Sequence, residues 1–152
     1  MAFELRLADQ SAREHIERMM QPYLLDLGAP PDFVYPRLDV YWREPGRYPY
    51  IIVDGEQIIG FMLVHQINEK PSFNLVEFYI AAGFRNRGYG RQAADAAFKL
   101  HFGEWSVGVL RNNVGAQAFW QSVLQTNPSV TVVDVKSPDG VMYKFSSRHD
   151  DA

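Results

Sequence analysis

The chain has 152 residues, a formal net charge of −3 and no cysteine. That length suits one domain with one core, and an apolar share of 47% with 14% aromatics points to a folded globule rather than a disordered chain. The charge makes nucleic acid a poor partner. The missing cysteines exclude disulfides, thiol nucleophiles and thiolate metal sites, and no apolar run is long enough for a membrane-spanning helix.

Phe3, Leu5 and Leu7 alternate with Glu4, Arg6 and Ala8, so the chain opens on a strand and not on the basic-then-apolar pattern of an export signal. The expected location is cytoplasmic. Asp9 is placed to cap a helix whose apolar face is Ile16, Met19, Met20, Tyr23, Leu24 and Leu27. Pro22 lies inside that pattern and must either kink the helix or divide it, and Gly28 followed by Pro30 and Pro31 ends it. Residues 29–48 are irregular and carry Phe33, Tyr35, Tyr41, Trp42 and Tyr48; most of these rings are expected to pack, with one or two facing a substrate.

Residues 50–53 and 57–64 flank Asp54-Gly55, a hairpin signal. A connection through Pro71 leads to Leu75-Val76-Glu77-Phe78-Tyr79-Ile80, an apolar strand. Next comes Phe84-Arg85-Asn86-Arg87-Gly88-Tyr89-Gly90-Arg91, then a helix expected over residues 92–102 with Ala93, Ala94 and Ala97 on one side. Glycines at alternate positions let the backbone turn sharply and present its amides, and a helix N-terminus adds unsatisfied donors and partial positive charge. With Arg85, Arg87 and Arg91 around it, this is a place for a phosphate or pyrophosphate. It is not a P-loop, because no Gly-Lys-Ser or Gly-Lys-Thr follows, and Asn86 stands where a dinucleotide fingerprint needs its first glycine. Taken alone, it reads equally well as a surface turn with solvated arginines.

Residues 105–110 form a further strand. Asn113 is placed to cap a helix with Ala116, Phe119, Trp120, Val123 and Leu124 on its apolar face, stopped by Pro128. Residues 130–135 and 141–145 flank Ser137-Pro138-Asp139-Gly140, a final hairpin whose edge could pair two copies as a homodimer. The polar tail from Ser146 is expected to fray. His15, His65, His101 and His149 lack ligand spacing, so no metal is expected. No repeat or linker interrupts the chain, which reads as a single domain over residues 1–152.

The order is strand, helix, three antiparallel strands, basic Gly-turn, helix, strand, Asn-capped helix and two strands. It resembles the GNAT superfamily of acyl-CoA-dependent N-acyltransferases over nearly the whole chain. Two motifs carry the resemblance. Arg85-Asn86-Arg87-Gly88-Tyr89-Gly90 matches the family's Arg/Gln-x-x-Gly-x-Gly/Ala turn, and Asn113-Val114-Gly115-Ala116 followed by Phe119-Trp120 is similar to its Asn-x-x-Ala motif with an aromatic pair one turn later. The chain looks closest to small bacterial acetyltransferases with that Phe-Trp ending.

The resemblance implies an α/β (α+β) fold: a mixed central sheet of six to seven strands, splayed between the fourth and fifth, with helices on both faces. It implies acetyl-CoA as cosubstrate and transfer of its acetyl group to a primary amine of a small-molecule or peptide acceptor, by direct attack in a ternary complex. No membrane partner is implied. The backbone amides of residues 85–91 (Arg85, Asn86, Arg87, Gly88, Tyr89, Gly90 and Arg91) would hold the pyrophosphate. The backbone of Phe78, Tyr79 and Ile80 would bond the pantetheine, with an N–H near the oxyanion, and Asn113 and Trp120 would contact the coenzyme from the other side. Glu77, a carboxylate in an apolar strand, is the expected general base, with His65 in reserve; the bland alternative pairs Glu77 with an arginine. Trp120 stands where many members have a tyrosine, and an indole N–H cannot protonate a thiolate. The thiol leaves unaided, or Tyr79 or Tyr143 supplies the proton, or the domain only binds acyl-CoA as a regulatory module.

Overall fold

The computed structural model describes residues 3–68, 72–127, 130–137 and 139–147. In chain order the elements are β1 (Phe3–Leu7), α1 (Arg13–Asp26), a 3-10 turn (Leu38–Trp42), β2 (Arg47–Asp54), β3 (Gln57–Asn68), β4 (Ser72–Ile80), a second 3-10 turn (Ala82–Phe84), α2 (Tyr89–Leu100), β5 (Gly103–Leu110), α3 (Val114–Gln125), β6 (Val130–Ser137) and β7 (Gly140–Ser147). The strands form one seven-stranded sheet in the order β1-β2-β3-β4-β5-β7-β6. β1–β2, β5–β7 and β6–β7 are antiparallel. β4 and β5 are parallel, joined through α2 as a parallel pair requires. Their ladder runs from Ser72–Glu104 to Leu75–Val107, while β4 continues to Ile80 and β5 to Leu110. This is the expected mixed sheet, split between its fourth and fifth strands and flanked by three helices.

The chain divides into two compact units, residues 1–64 with 77–93, and residues 65–76 with 94–152. In the first unit, Tyr50, Ile51, Ile52 and Val53 of β2 are all buried, the unbroken apolar run of a strand covered on both sides. Phe61, Met62, Leu63 and Val64 of β3 are buried in the same way, and α1 adds Ile16 and Met20. α1 runs unbroken through Pro22. Asp9 caps the turn before the helix, not the helix itself: its carboxylate accepts from the Ala12 N–H at 3.1 Å and the Ser11 hydroxyl at 2.5 Å, and Ala12 is the N-cap residue. At the other end Gly28 is left-handed (φ 93°), which lets the Ala29 N–H reach back to the Leu24 carbonyl at 2.9 Å. The hairpin loop is Gly55-Glu56, with Asp54 the buried last residue of β2. Within the irregular segment the first 3-10 turn buries Val40 and Tyr41. Trp42 donates from Nε1 to the Ala8 carbonyl at 3.0 Å beneath the Arg13 guanidinium, and Phe33 stays exposed.

The second unit has an aromatic core. Phe98 meets Trp105 at 5.3 Å and Phe145 at 5.0 Å between ring centres, and Phe73 meets Trp105 at 5.3 Å. Asn113 caps α3, its Oδ1 accepting from the Ala116 N–H at 3.1 Å; Trp120, Val123 and Leu124 are buried and Phe119 is half-buried.

Several boundaries differ from the sequence reading. β4 begins at Ser72, and α2 begins at Tyr89, three residues earlier than expected, because Tyr89, Gly90 and Arg91 form its first turn. The tail does not fray at Ser146, since β7 pairs through Ser147, whose hydroxyl donates to the Phe98 carbonyl at 2.7 Å. The connection at Pro71, the stop at Pro128, the turn residue Pro138, His149 and the remainder of the tail lie outside the described residues.

Candidate active site

Glu77 stands on β4 in the first unit, and its side chain is half-buried. A carboxylate there needs donors, because an unpaired charge taken out of water is costly. Two phenols supply them. The Tyr23 hydroxyl, from α1, donates to Oε1 at 2.6 Å, and the Tyr35 hydroxyl, from the irregular segment, donates to Oε2 at 2.7 Å. The partners are therefore tyrosines and not the arginine of the bland alternative. Burial pushes both phenols well above their ordinary range, and the Glu77 charge and its hydrogen bonds add to the shift. Both thus remain protonated donors at any physiological pH. At Tyr23 a hydrogen bond from the backbone of Phe78 partly offsets that rise.

The rings close around this carboxylate. Tyr23 is edge-on to Phe61 at 5.4 Å and to Tyr79 at 5.7 Å. Tyr79 is buried, and its phenol is raised chiefly by desolvation, with Arg85 opposing. β3 approaches β4 closely here. A Cβ on Gly60 would lie 2.1 Å from the Tyr79 carbonyl oxygen, so only glycine fits, and the Ala81 N–H closes the end of the strand on the Ile59 carbonyl at 2.8 Å.

Five residues beyond β4 the backbone turns into α2. Arg85 is extended, Asn86 is left-handed (φ 63°) and Gly88 is left-handed (φ 86°). Asparagine and glycine tolerate that region best, which explains both residue types. The first helical bond of α2 joins the Gln92 N–H to the Gly88 carbonyl at 3.1 Å, so the amides of Tyr89 and Gly90 have no acceptor inside the helix. These amides, together with the helix N-terminus, fit the chemistry of a diphosphate.

The three arginines have separate duties. Arg85 turns back: Nε donates to the Ile80 carbonyl at 2.8 Å, a second nitrogen pairs with Asp26 at 2.9 Å, and the guanidinium covers the Tyr79 ring at 5.6 Å. It therefore braces the turn and occupies the Ile80 carbonyl. Arg87 lies exposed over the Phe84 ring at 5.5 Å, and Arg91 is half-buried on α2. The Tyr89 side chain also faces inward. Its hydroxyl donates to buried Asp54 at 2.5 Å, and its ring lies against Phe3 and Phe84, tying the start of α2 to the end of β2.

Glu77, Phe78, Tyr79, Ile80 and residues 85–91 are thus brought together in the first unit. Asn113 and Trp120 belong to the second unit, where Asn113 spends its Oδ1 on the helix cap and Trp120 is buried. Tyr143 and His65 are also in the second unit, buried and half-buried. That unit carries an open groove of about 400 Å³ lined by Ser72, Glu104, Trp105, Ser106, Lys144, Phe145 and Ser146, none of them a residue the sequence singled out for chemistry. Sequence reasoning misses Tyr23 and Asp54 as site residues. Periodicity places Tyr23 on a core face, yet a carboxylate in an apolar strand is itself the signal to look for phenols.

The sequence profile of the acetyltransferase (GNAT) family matches residues 13–124. No curated protein sequence matches the chain. Among solved structures, an acetyltransferase from Thermus thermophilus superposes with a TM-score of 0.73 at 19% identity, covering 97% of this chain and 98% of that one. The PaiA N-acetyltransferase of Thermoplasma acidophilum, in complex with coenzyme A, gives 0.63 at 15% identity, covering 94% and 98%. An aminoglycoside acetyltransferase in complex with coenzyme A gives 0.70 at 14%, covering 97% and 95%. At these identities the structures speak to fold, and the profile, which spans well over half of the sequence, speaks to kinship: the chain belongs to the GNAT family and is an acetyltransferase.

Proposed function

We propose that the protein transfers an acetyl group from acetyl-CoA to the primary amine of an acceptor, by direct attack in a ternary complex. The observation that carries this reading is the left-handed Asn86/Gly88 pair, which delivers the chain into α2 with its first amides still lacking helical acceptors. Those amides would hold the coenzyme diphosphate, with Arg87 as the exposed cation beside it. The coenzyme A complexes among the structural relatives support the choice of cosubstrate.

In this reading Glu77 receives the acceptor's ammonium and takes a proton from it. The amine nitrogen then attacks the thioester carbonyl, the new C–N bond replaces the C–S bond, and coenzyme A leaves. The ammonium sheds two protons overall, one ending on the coenzyme thiol and one released to solvent. A thiol with an ordinary pKa of about 8.5 leaves without a dedicated acid, which suits a tryptophan at position 120. Tyr23 and Tyr35 fix the orientation of the base from either side.

The test measures saturable protection by acetyl-CoA against thermal unfolding, together with thioester consumption over a panel of amines. Protection with turnover is the expected result. Protection without turnover on any amine would reduce the protein to an acyl-CoA-binding module, and no protection would remove the diphosphate role of the turn.

A further inference from the structure

A base that takes a proton from each ammonium has to lose it again before the next turnover. Glu77 is half-buried, with the Tyr23 hydroxyl on Oε1 at 2.6 Å and the Tyr35 hydroxyl on Oε2 at 2.7 Å. Among the described residues no other hydrogen bond reaches the carboxylate, so these two hydroxyls are the groups placed to carry a proton onward.

Toward Glu77 the two phenols are alike, and on their other side they differ. A phenol O–H lies close to its ring plane, where it has two directions to choose from, and the oxygen accepts in the direction the O–H leaves open. At Tyr23 the Phe78 N–H takes one direction, so the O–H is committed to Oε1. The Tyr23 ring stands on α1 and meets the buried rings of Phe61 and Tyr79 edge-on. Tyr23 is therefore fixed. The Tyr35 oxygen donates to Oε2 and accepts from no described residue. Its ring is half-buried on the irregular segment, between Val34, which is 81% exposed, and exposed Pro36. The Tyr35 O–H has a second direction to turn to. Burial and the Glu77 charge hold this phenol protonated, so a proton crosses it only by exchange, one arriving on the oxygen as the other leaves.

We infer that Tyr35 is a catalytic residue, the outlet through which Glu77 returns its proton to solvent. The Tyr35 O–H turns from Oε2 toward water. The proton on Glu77 Oε2 then moves to Tyr35 Oη as the phenol's own proton passes to a water molecule or a buffer base. One O–H bond breaks at Glu77, one forms at Oη and the old one at Oη breaks. The product is ionised Glu77 with Tyr35 again donating to Oε2, which is the starting arrangement. Tyr23 stays a brace throughout. This rests on acetyl transfer with Glu77 as base, as proposed above, and adds the path by which that base is reset.

The experiment compares single-turnover and steady-state thioester consumption by the whole chain. It uses acetyl-CoA with the fastest amine of a panel of ethanolamine, putrescine, glycinamide and an aminoglycoside. In Tyr35→Phe, kcat should fall about ten-fold or more beyond any fall in the single-turnover rate, because reset is hit harder than the first proton transfer. The progress curve should then open with a stoichiometric burst of coenzyme A. Imidazole, a small base that takes the proton directly, should restore kcat in this variant and leave its single-turnover rate as it was. Tyr35→Leu, read in case Tyr35→Phe does not fold, should show the same burst. Tyr23→Phe should slow both phases alike, with no burst. If the Tyr35 variants slow both phases equally, Tyr35 is a brace like Tyr23 and the inference falls. It falls too if kcat keeps its parent value, or if the burst appears in Tyr23→Phe instead. Each of those results leaves acetyl transfer standing. A parent chain that consumes no thioester with any amine removes acetyl transfer itself, and the outlet with it.

Discussion

The two ends of the first unit's site are built in contrary ways. At Glu77 the polar atoms are enclosed and spoken for, with both carboxylate oxygens fixed by phenols and rings packed around them. At residues 85–91 the chain is mostly exposed, and its order comes from backbone conformation and from two side chains that face away from the opening, Arg85 toward Asp26 and Tyr89 toward Asp54. A group that moves a proton has to be held in one orientation, whereas a group that grips a large charged coenzyme has to stay open to it. On the proposed reading, enclosure would mark the chemistry end and exposure the coenzyme end.

Breaking the enclosed end should cost most. Glu77→Gln is expected to lower kcat by about 10²–10⁴ while acetyl-CoA protection stays unchanged; a full rate in that variant would end the base assignment. Gly60→Ala should come next. Its Cβ would fall within 2.1 Å of the Tyr79 carbonyl, and pushing β3 from β4 should cost about 3 kcal/mol, read as a fall in the urea midpoint. Tyr23→Phe and Tyr35→Phe each remove one hydrogen bond to a charged acceptor and should cost about 1.5–3 kcal/mol, with kcat falling more than KM rises. Equal stability in both variants would show the clamp to be idle.

The open end should yield less. Gly88→Val places a β-branched residue at φ 86°, where space is free but the backbone is strained. A stability loss of about 1–3 kcal/mol is expected, with acetyl-CoA affinity down about ten-fold. Arg87→Ala should weaken acetyl-CoA only about three-fold, and less still as salt rises, since an exposed charge is screened. If Arg87→Ala proved as damaging as Glu77→Gln, the contrast between the ends would be wrong.

Much of this is legible in the chain. Alternation and turn residues mark all seven strands, and Gly88 with Asn113 locates the starts of two helices to within a few residues. Glu77 declares itself as a charge in an apolar strand. Its partners do not, because Tyr23 lies 54 positions away and Tyr35 lies 42, and helical periodicity assigns a phenol to the core without saying where its hydroxyl goes. Pro22 reads as a kink or a break, yet α1 tolerates it because packing of Ile16 and Met20 outweighs one lost backbone bond. The duties of the three arginines are equally hidden, since composition counts charge but not direction. Sequence alone groups Arg85 with the phosphate ligands, although Asp26, 59 positions earlier, claims it.

The placement of tryptophan has an optical consequence. Of the three in the chain, Trp42 lies in the first unit, under Arg13 and bonded to the Ala8 carbonyl, while Trp105 and Trp120 lie in the second. Replacing the latter two with phenylalanine would leave a single tryptophan, next in sequence to Tyr41. Its emission would then follow what happens at that end of the molecule as it happens, with no dye attached and no thiol needed to attach one.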